Sequence, residues 1–258
     1  MSEHSISEDM AEGRKNLRAN PYPGRIAIMG LSENGQAILA YALMGRRPSS
    51  RNRIFVQEGT SVRTTAPDKT SAEMATAENA SLIYYRAVRS DKGVNVVSNG
   101  AQTDHVFESV LAKKSLDTAV RSAPIVEGQD LSRYEPDEPN YTPRIVGVVD
   151  RREGALSSFG LAVIRKNPSH FEPIYSVYTP SILRPGLGLG VQTYKGNGDP
   201  LPSYDQDPYP YPLGVDGPDT AVRLWNDLNQ ENRVAVVVRE IDYMTGQSAG
   251  TTIINSAS

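Results

Sequence analysis

The chain has 258 residues, 38% hydrophobic and 22% charged, the composition of a globular protein long enough to bury a full core. It contains no cysteine, which excludes disulfides, thiol nucleophiles and thiolate metal sites. With 27 Lys+Arg against 30 Asp+Glu, the net charge of −3 gives no overall attraction to nucleic acid or an anionic membrane, so an anion site must come from local clustering.

Residues 1–19 are polar, carry charges of both signs and read as a loose tail without the apolar stretch of a signal peptide. Residues 20–258 read as one domain with no apolar run long enough to span a bilayer, so the cytoplasm is the expected location. Apolar runs at 25–31 and 36–44 flank Asn34-Gly35, a turn that predicts a hairpin. A basic loop at 46–52 leads into a strand at 53–57, and β-branched and aromatic content predicts strands at 81–88 and 94–98. The spacing of Val106, Phe107, Val110 and Leu111 predicts a helix that Asp104 could cap. Residues 125–143, rich in Pro and Asp, read as an irregular loop followed by strands near 144–150, 158–165 and 173–178. A long Pro/Gly/Tyr stretch covers 180–217, with one strand at 190–194. A helix at 218–229 presents Ala221, Trp225 and Leu228 on one stripe, and a hairpin of 234–242 with 251–255 closes the chain. Hairpins dominate, which points to stacked antiparallel sheets with helices outside rather than a doubly wound sheet.

Several apparent motifs dissolve on inspection. Gly246 to Gly250 matches the nucleophile-elbow pattern, but neither a helix nor a histidine follows it, so it reads as a hairpin turn. Gly186 to Gly190 resembles a phosphate loop yet leads into a strand, and a flexible surface loop is expected there. His4, His105 and His170 are far apart, so no histidine metal site is expected. Asn79-Ala80-Ser81 and Asn140-Tyr141-Thr142 match the glycosylation pattern, which carries no weight without secretion.

Four polar segments between strands can carry chemistry. The first is 20–25, ending in Arg25. The second, 45–53, holds Arg46, Arg47, Arg51 and Arg53 with Asn52; guanidinium forks grip phosphate, although a solvated basic loop has the same composition. The third, 98–104, supplies Asn99, Thr103 and Asp104 to either a site or a helix cap. The fourth, 134–144, combines Glu135 with other carboxylates and Arg144, an acid/base pair or an acidic surface loop. The Tyr/Pro run 202–212 reads as a packed loop or as a docking surface for a partner.

The strings NPYPGR at 20–25, AYALMGRRPSSRNRIF at 40–55, LIYYRAV at 82–88, SNGAQTD at 98–104 and EPDEPNYTPRI at 135–145 resemble, in order and spacing, the archaeal-type IMP cyclohydrolase family. TYKGNGDPLPSY at 193–204 resembles its bacterial branch, and the likeness covers most of 20–245. The resemblance implies an α+β fold, a four-layered αββα sandwich of antiparallel sheets similar to the N-terminal-nucleophile hydrolases. It implies closure of 5-formamidoimidazole-4-carboxamide ribonucleotide to inosine monophosphate and water, with no cofactor, no metal and a homo-oligomeric assembly. Ser2 is set aside as a nucleophile because it lies on a charged tail.

On this reading Tyr85 or Glu135 handles protons, and Asn99, Thr103 and Asp104 orient the base or the formyl group. Arg46, Asn52 and Arg53 bind phosphate or the imidazole-carboxamide, and Arg25 and Arg144 add positive charge. The chain departs from its relatives at Arg86, Ala101 and Arg47, where Asn, Asp or Thr, and Ser are usual. Those departures leave room for another hydrolysis of a purine-pathway ribonucleotide, or for a non-catalytic nucleotide-binding protein on the same scaffold.

Overall fold

Runs of Val, Ile, Leu and Ala pair into two antiparallel sheets in the computed structural model, which describes residues 3–68, 83–153, 155, 158–181 and 183–256. One sheet contains β1 (Arg25–Leu31), β2 (Ala37–Met44), β12 (Leu187–Gln192), β13 (Tyr209–Pro212), β14 (Arg233–Ile241) and β15 (Ser248–Asn255), in the order β13-β12-β1-β2-β14-β15. The other contains β3 (Ile54–Glu58), β4 (Ser61–Thr65), β5 (Arg86–Asp91), β6 (Val94–Ser98), β9 (Arg144–Asp150), β10 (Phe159–Arg165) and β11 (Ile174–Tyr178), in the order β11-β10-β9-β6-β5-β4-β3. A small hairpin of β7 (Ile125–Val126) and β8 (Gln129–Asp130) stands apart. The described helices are α1 (Glu3–Ala19), α2 (Pro48–Arg51), α3 (Gln102–Leu111), α4 (Leu116–Arg121) and α5 (Gly217–Asp227).

Strand alternation sorts the side chains into three apolar layers. Ala27, Met29, Leu39, Tyr41, Leu43 and Val237 meet Val97, Ile145, Val149 and Leu161 between the sheets. Ile26, Ile28, Ile38, Val236 and Val238 face the other way, towards Ala221 and Leu224 of α5 and Leu17 of α1. Val94, Val96, Val146 and Val148 pack on Val106, Phe107 and Val110 of α3 and on Leu116 and Val120 of α4. Burial on both faces explains why β1, β2 and β9 read as continuous apolar runs.

Three expectations are corrected. Residues 3–19 form α1 rather than a loose tail. Its docking relies little on an apolar stripe: Gly13 lies so close to β13 that a Cβ there would be 1.9 Å from the Pro210 carbonyl oxygen. Arg14 Nε and Arg18 Nε donate to the buried Asp227 carboxylate at 2.7 and 2.6 Å, and Tyr211 Oη donates to it at 2.8 Å. Asp227→Ala should therefore cost about 3 kcal/mol in urea denaturation, as loss of one partner of a buried pair does. Proteolysis within 3–19 should quicken; unchanged protection would contradict this anchoring.

Gly186 holds the turn before residues 187–190 of the glycine run, which belong to β12, an inner strand, not to a surface loop. Its glycines serve close packing: a Cβ on Gly188 would approach Ile28 and Leu213 to 3.0 Å, and one on Gly190 would meet the Tyr209 ring at 2.7 Å. The cap of α3 falls at Ala101, with Asp104 inside the first turn.

Elsewhere the expected hairpins form. Gly35 and Gly246 hold positive φ at the β1–β2 and β14–β15 turns. Of the strand expected at 81–88, the described residues 83–85 lie outside a strand and β5 runs over 86–91, while 61–65 adds β4. Within 202–212, Tyr204 and Tyr211 are buried, Pro202, Asp205, Gln206 and Asp207 are exposed, and 209–212 form β13. Ser2, Asn79-Ala80-Ser81 and Leu82 lie outside the described residues.

Candidate active site

Polar side chains from both sheets converge at one end of the apolar layer between them. Tyr41, opposite Ala27 and Val237 in the register, projects inward from β2. Tyr85 enters from the other sheet just before β5, and the two phenol oxygens are 2.7 Å apart. Thr64 fixes Tyr85: its Oγ1 accepts the Tyr85 backbone N–H at 3.0 Å and donates to the Ile83 carbonyl at 2.6 Å.

Arg25 begins β1 after Gly24, whose φ of +79° and whose contact with Thr193 leave no room for a Cβ. The Arg25 backbone N–H donates to Thr193 Oγ1 at 3.0 Å, and its Nη2 lies 3.6 Å from Glu135 Oε2. Glu135, 1% exposed, accepts a hydrogen bond from Asn99 Nδ2 at 3.1 Å. Asn99 is itself clamped: Nδ2 also donates to the Pro143 carbonyl at 2.9 Å, and Oδ1 accepts the Ile145 N–H at 2.7 Å. Gln102 links this amide to Arg144, whose Nη1 donates to Gln102 Oε1 at 2.9 Å. Arg53 is buried, with Nε donating to the Ser50 carbonyl at 2.9 Å.

Electrostatics follow from burial. Loss of water pushes the Glu135 carboxyl up to about 7; Arg25 opposes that rise and Asp137 adds to it. Burial also works against the Arg25 cation, but Glu135, Tyr85, Tyr194 and Tyr41 more than offset it. An arginine keeps its charge in either case, so the exchangeable proton of this pair is the one on Glu135. Burial lowers the guanidinium groups of Arg53 and Arg144. Arg25 Nε and Arg53 Nη1 are buried donors with no hydrogen-bond partner among the described residues. A buried donor left open costs about 1–3 kcal/mol, so the cluster favours an anionic ligand. Tyr85 also borders a cavity of about 360 Å³ shared with Tyr84, Arg86, Ala101 and Asp104. A cavity of similar size, lined by Val110, Leu116 and Phe159 with Lys113, Lys114, Asp117 and Asp150, contains none of the cluster's side chains.

The structure brings together Tyr85, Glu135, Asn99, Arg25, Arg53 and Arg144 of the residues picked out in the sequence. It sets four others aside. Asp104 is half-exposed on α3, paired with Arg86 and, at 3.2 Å, with Arg89. Thr103 closes the strand-to-helix turn through Ser98 Oγ at 2.6 Å and the Gly100 carbonyl at 2.9 Å. Arg46 stacks over the Tyr22 ring at 5.0 Å and donates to Asn197 Oδ1 at 2.6 Å. Asn52, half-buried, caps the C-terminus of α2.

Tyr41, Gln102, Thr142 and Tyr194 escape sequence reasoning. The Thr142 hydroxyl bonds both Asp137 and Tyr194 Oη. A phenol placed at an inward register position of an otherwise aliphatic strand is the signal that could have singled out Tyr41.

No curated protein matches the chain. The model of a protein family described as IMP cyclohydrolase-like protein matches residues 22–246, a span that contains the whole polar cluster and leaves α1 outside. The chain belongs to this IMP cyclohydrolase-like family.

Proposed function

We propose that the protein closes 5-formamidoimidazole-4-carboxamide ribonucleotide to inosine monophosphate, releasing water. The observation that carries this reading is the buried Glu135 carboxyl, poised near neutrality beside Arg25 and in one cluster with Tyr85 and the open donors Arg25 Nε and Arg53 Nη1. Arg25, Arg53 and Arg144 supply the positive charge that a ribonucleotide phosphate offsets.

Both reacting groups are on the substrate, so the protein's tasks are orientation, charge stabilisation and proton movement. In the first step the carboxamide nitrogen attacks the formyl carbon. Glu135 takes a proton from that nitrogen and Tyr85 gives one to the formyl oxygen, forming a cyclic carbinolamine. In the second step the hydroxyl leaves as water with the proton held by Glu135. The former formamide nitrogen returns its proton to Tyr85 as the C=N bond forms. Atoms and charges balance, both side chains regain their starting states, and no redox partner or energy donor is consumed. Asn99 keeps the Glu135 carboxylate aimed, because its amide is fixed from both ends.

Helices outside both faces of the paired sheets support reading the fold as the αββα sandwich of the N-terminal-nucleophile hydrolases. The family likeness supports a cytoplasmic homo-oligomer. Arg86 is paired with Asp104 on α3 and lines the cavity that Tyr85 borders, so this departure from the relatives places charge beside the cluster.

Tyr85→Phe tests the assignment. Turnover should fall about 10²- to 10⁴-fold, the usual worth of a positioned acid or base, while ribonucleotide affinity changes little. Full turnover in the variant removes Tyr85 from proton transfer.

A further inference from the structure

Tyr41 is a titratable group, fully buried, that the steps above leave unused. It lies between Leu39 and Leu43 on a strand with every residue buried, where a phenylalanine would satisfy the packing. Its hydroxyl has Tyr85 Oη at 2.7 Å as its partner, and the pair is shared between the two sheets. The Tyr41 ring also tilts against Phe55 at 5.9 Å, so its position is fixed by apolar contacts. Arg25 and Arg53 lie within electrostatic reach of both phenols.

We infer that Tyr41 is a positioning residue for ring closure: its hydroxyl donates to Tyr85 Oη, turns the Tyr85 proton towards the substrate and holds the phenolate formed when that proton leaves. The inference rests on the proposed cyclohydrolase reading for its kinetic consequence, and on geometry for its direction. Two hydroxyls at this distance share one hydrogen, and one of them must be the donor. Among the described residues Tyr41 Oη has Tyr85 Oη alone as its partner, whereas Tyr85 borders the neighbouring cavity, so the Tyr41 hydrogen points to Tyr85. Burial, reinforced by Tyr85, pushes the Tyr41 phenol well up and keeps that proton on Tyr41. Tyr85 then accepts, and its own proton is the one free to transfer. In the step itself the Tyr85 O–H bond breaks, the proton goes to the formyl oxygen, and the Tyr41 hydrogen bond tightens on the phenolate until the proton returns. Tyr41 neither loses a proton nor touches the substrate.

The test compares Tyr41→Phe, Tyr85→Phe and the double variant in the ring-closure assay. A hydrogen bond to a charged group is worth a factor of roughly 10 to 100. Tyr41→Phe should therefore lose about that much in kcat with KM unchanged, and the double variant should be no slower than Tyr85→Phe alone. A purely structural tyrosine would instead leave kcat in place or multiply its loss with that of Tyr85→Phe; either overturns the inference.

The direction of the bond is read separately by NMR of selectively labelled tyrosine in the wild-type protein. A slowly exchanging hydroxyl proton attached to Tyr41 and in contact with the Tyr85 ring supports the inference. A shared proton attached to Tyr85 overturns it. This readout stands even if ring closure proves not to be the reaction, so failure of the function and failure of the pair are told apart.

Discussion

Glu135→Gln lowers kcat for ring closure by about 10²- to 10⁴-fold, because glutamine keeps the shape and the Asn99 contact but cannot take a proton. The same variant reports on stability. The folded protein favours the protonated carboxyl, since burial raises it to about 7. The stabilisation linked to that proton is complete below the ordinary carboxylate range and is lost as pH rises through about 7. Glutamine mimics the protonated form, so the stability of the variant relative to wild type should climb by about 3 kcal/mol between about pH 5 and pH 8. Denaturant titrations across that range check this. A constant difference would show that Glu135 is ionised throughout and that its role as an exchangeable acid and base is wrong.

Arg53→Met should act in opposite directions on the free protein and on its complex. Arg53 is 2% exposed, burial disfavours its cation, and Nη1 has no partner among the described residues. Methionine is apolar and of comparable length, so stability should stay level or rise by about 1 kcal/mol, as with other replacements of buried ions by apolar groups. Ribonucleotide affinity should fall about 100-fold, because a charge-assisted contact to the anion disappears. Calorimetric titration together with thermal denaturation reads both effects. Loss of stability with affinity retained would make Arg53 a structural cation and move the anion elsewhere.

The strands were the most legible part of the chain. β1, β2, β9, β10 and β14 are long apolar runs bounded by turn residues, and burial on both faces leaves no polar alternation to confuse the reading. The β12 glycines misled because a loop and a tightly packed strand use the same residue: Gly188 and Gly190 make room for Leu213 and the Tyr209 ring, which are distant in sequence. Helix α1 was hidden for a related reason. Its anchor is a carboxylate more than 200 positions away, and a polar segment shows no sign of a partner that distant.

In the candidate site, Arg25, Arg53, Asn99, Glu135 and Arg144 come from polar strings between strands, where functional groups stand out against apolar surroundings, whereas Tyr85 lies in an expected strand and is singled out by the family resemblance of its string. Asp104 shares such a string, yet the helical turn aims it at Arg86 and Arg89 rather than inward. Tyr41 falls in the reverse case, a polar atom concealed in an aliphatic strand whose role depends on what the opposite sheet places against it.

The most direct measurement adds purified protein to 5-formamidoimidazole-4-carboxamide ribonucleotide, without metal or nucleoside triphosphate, and follows inosine monophosphate by absorbance and chromatography. Stoichiometric conversion, slowed about 10²- to 10⁴-fold in Glu135→Gln and in Tyr85→Phe, is the predicted result. Ribonucleotide bound by the wild-type protein but left unconverted would contradict the account.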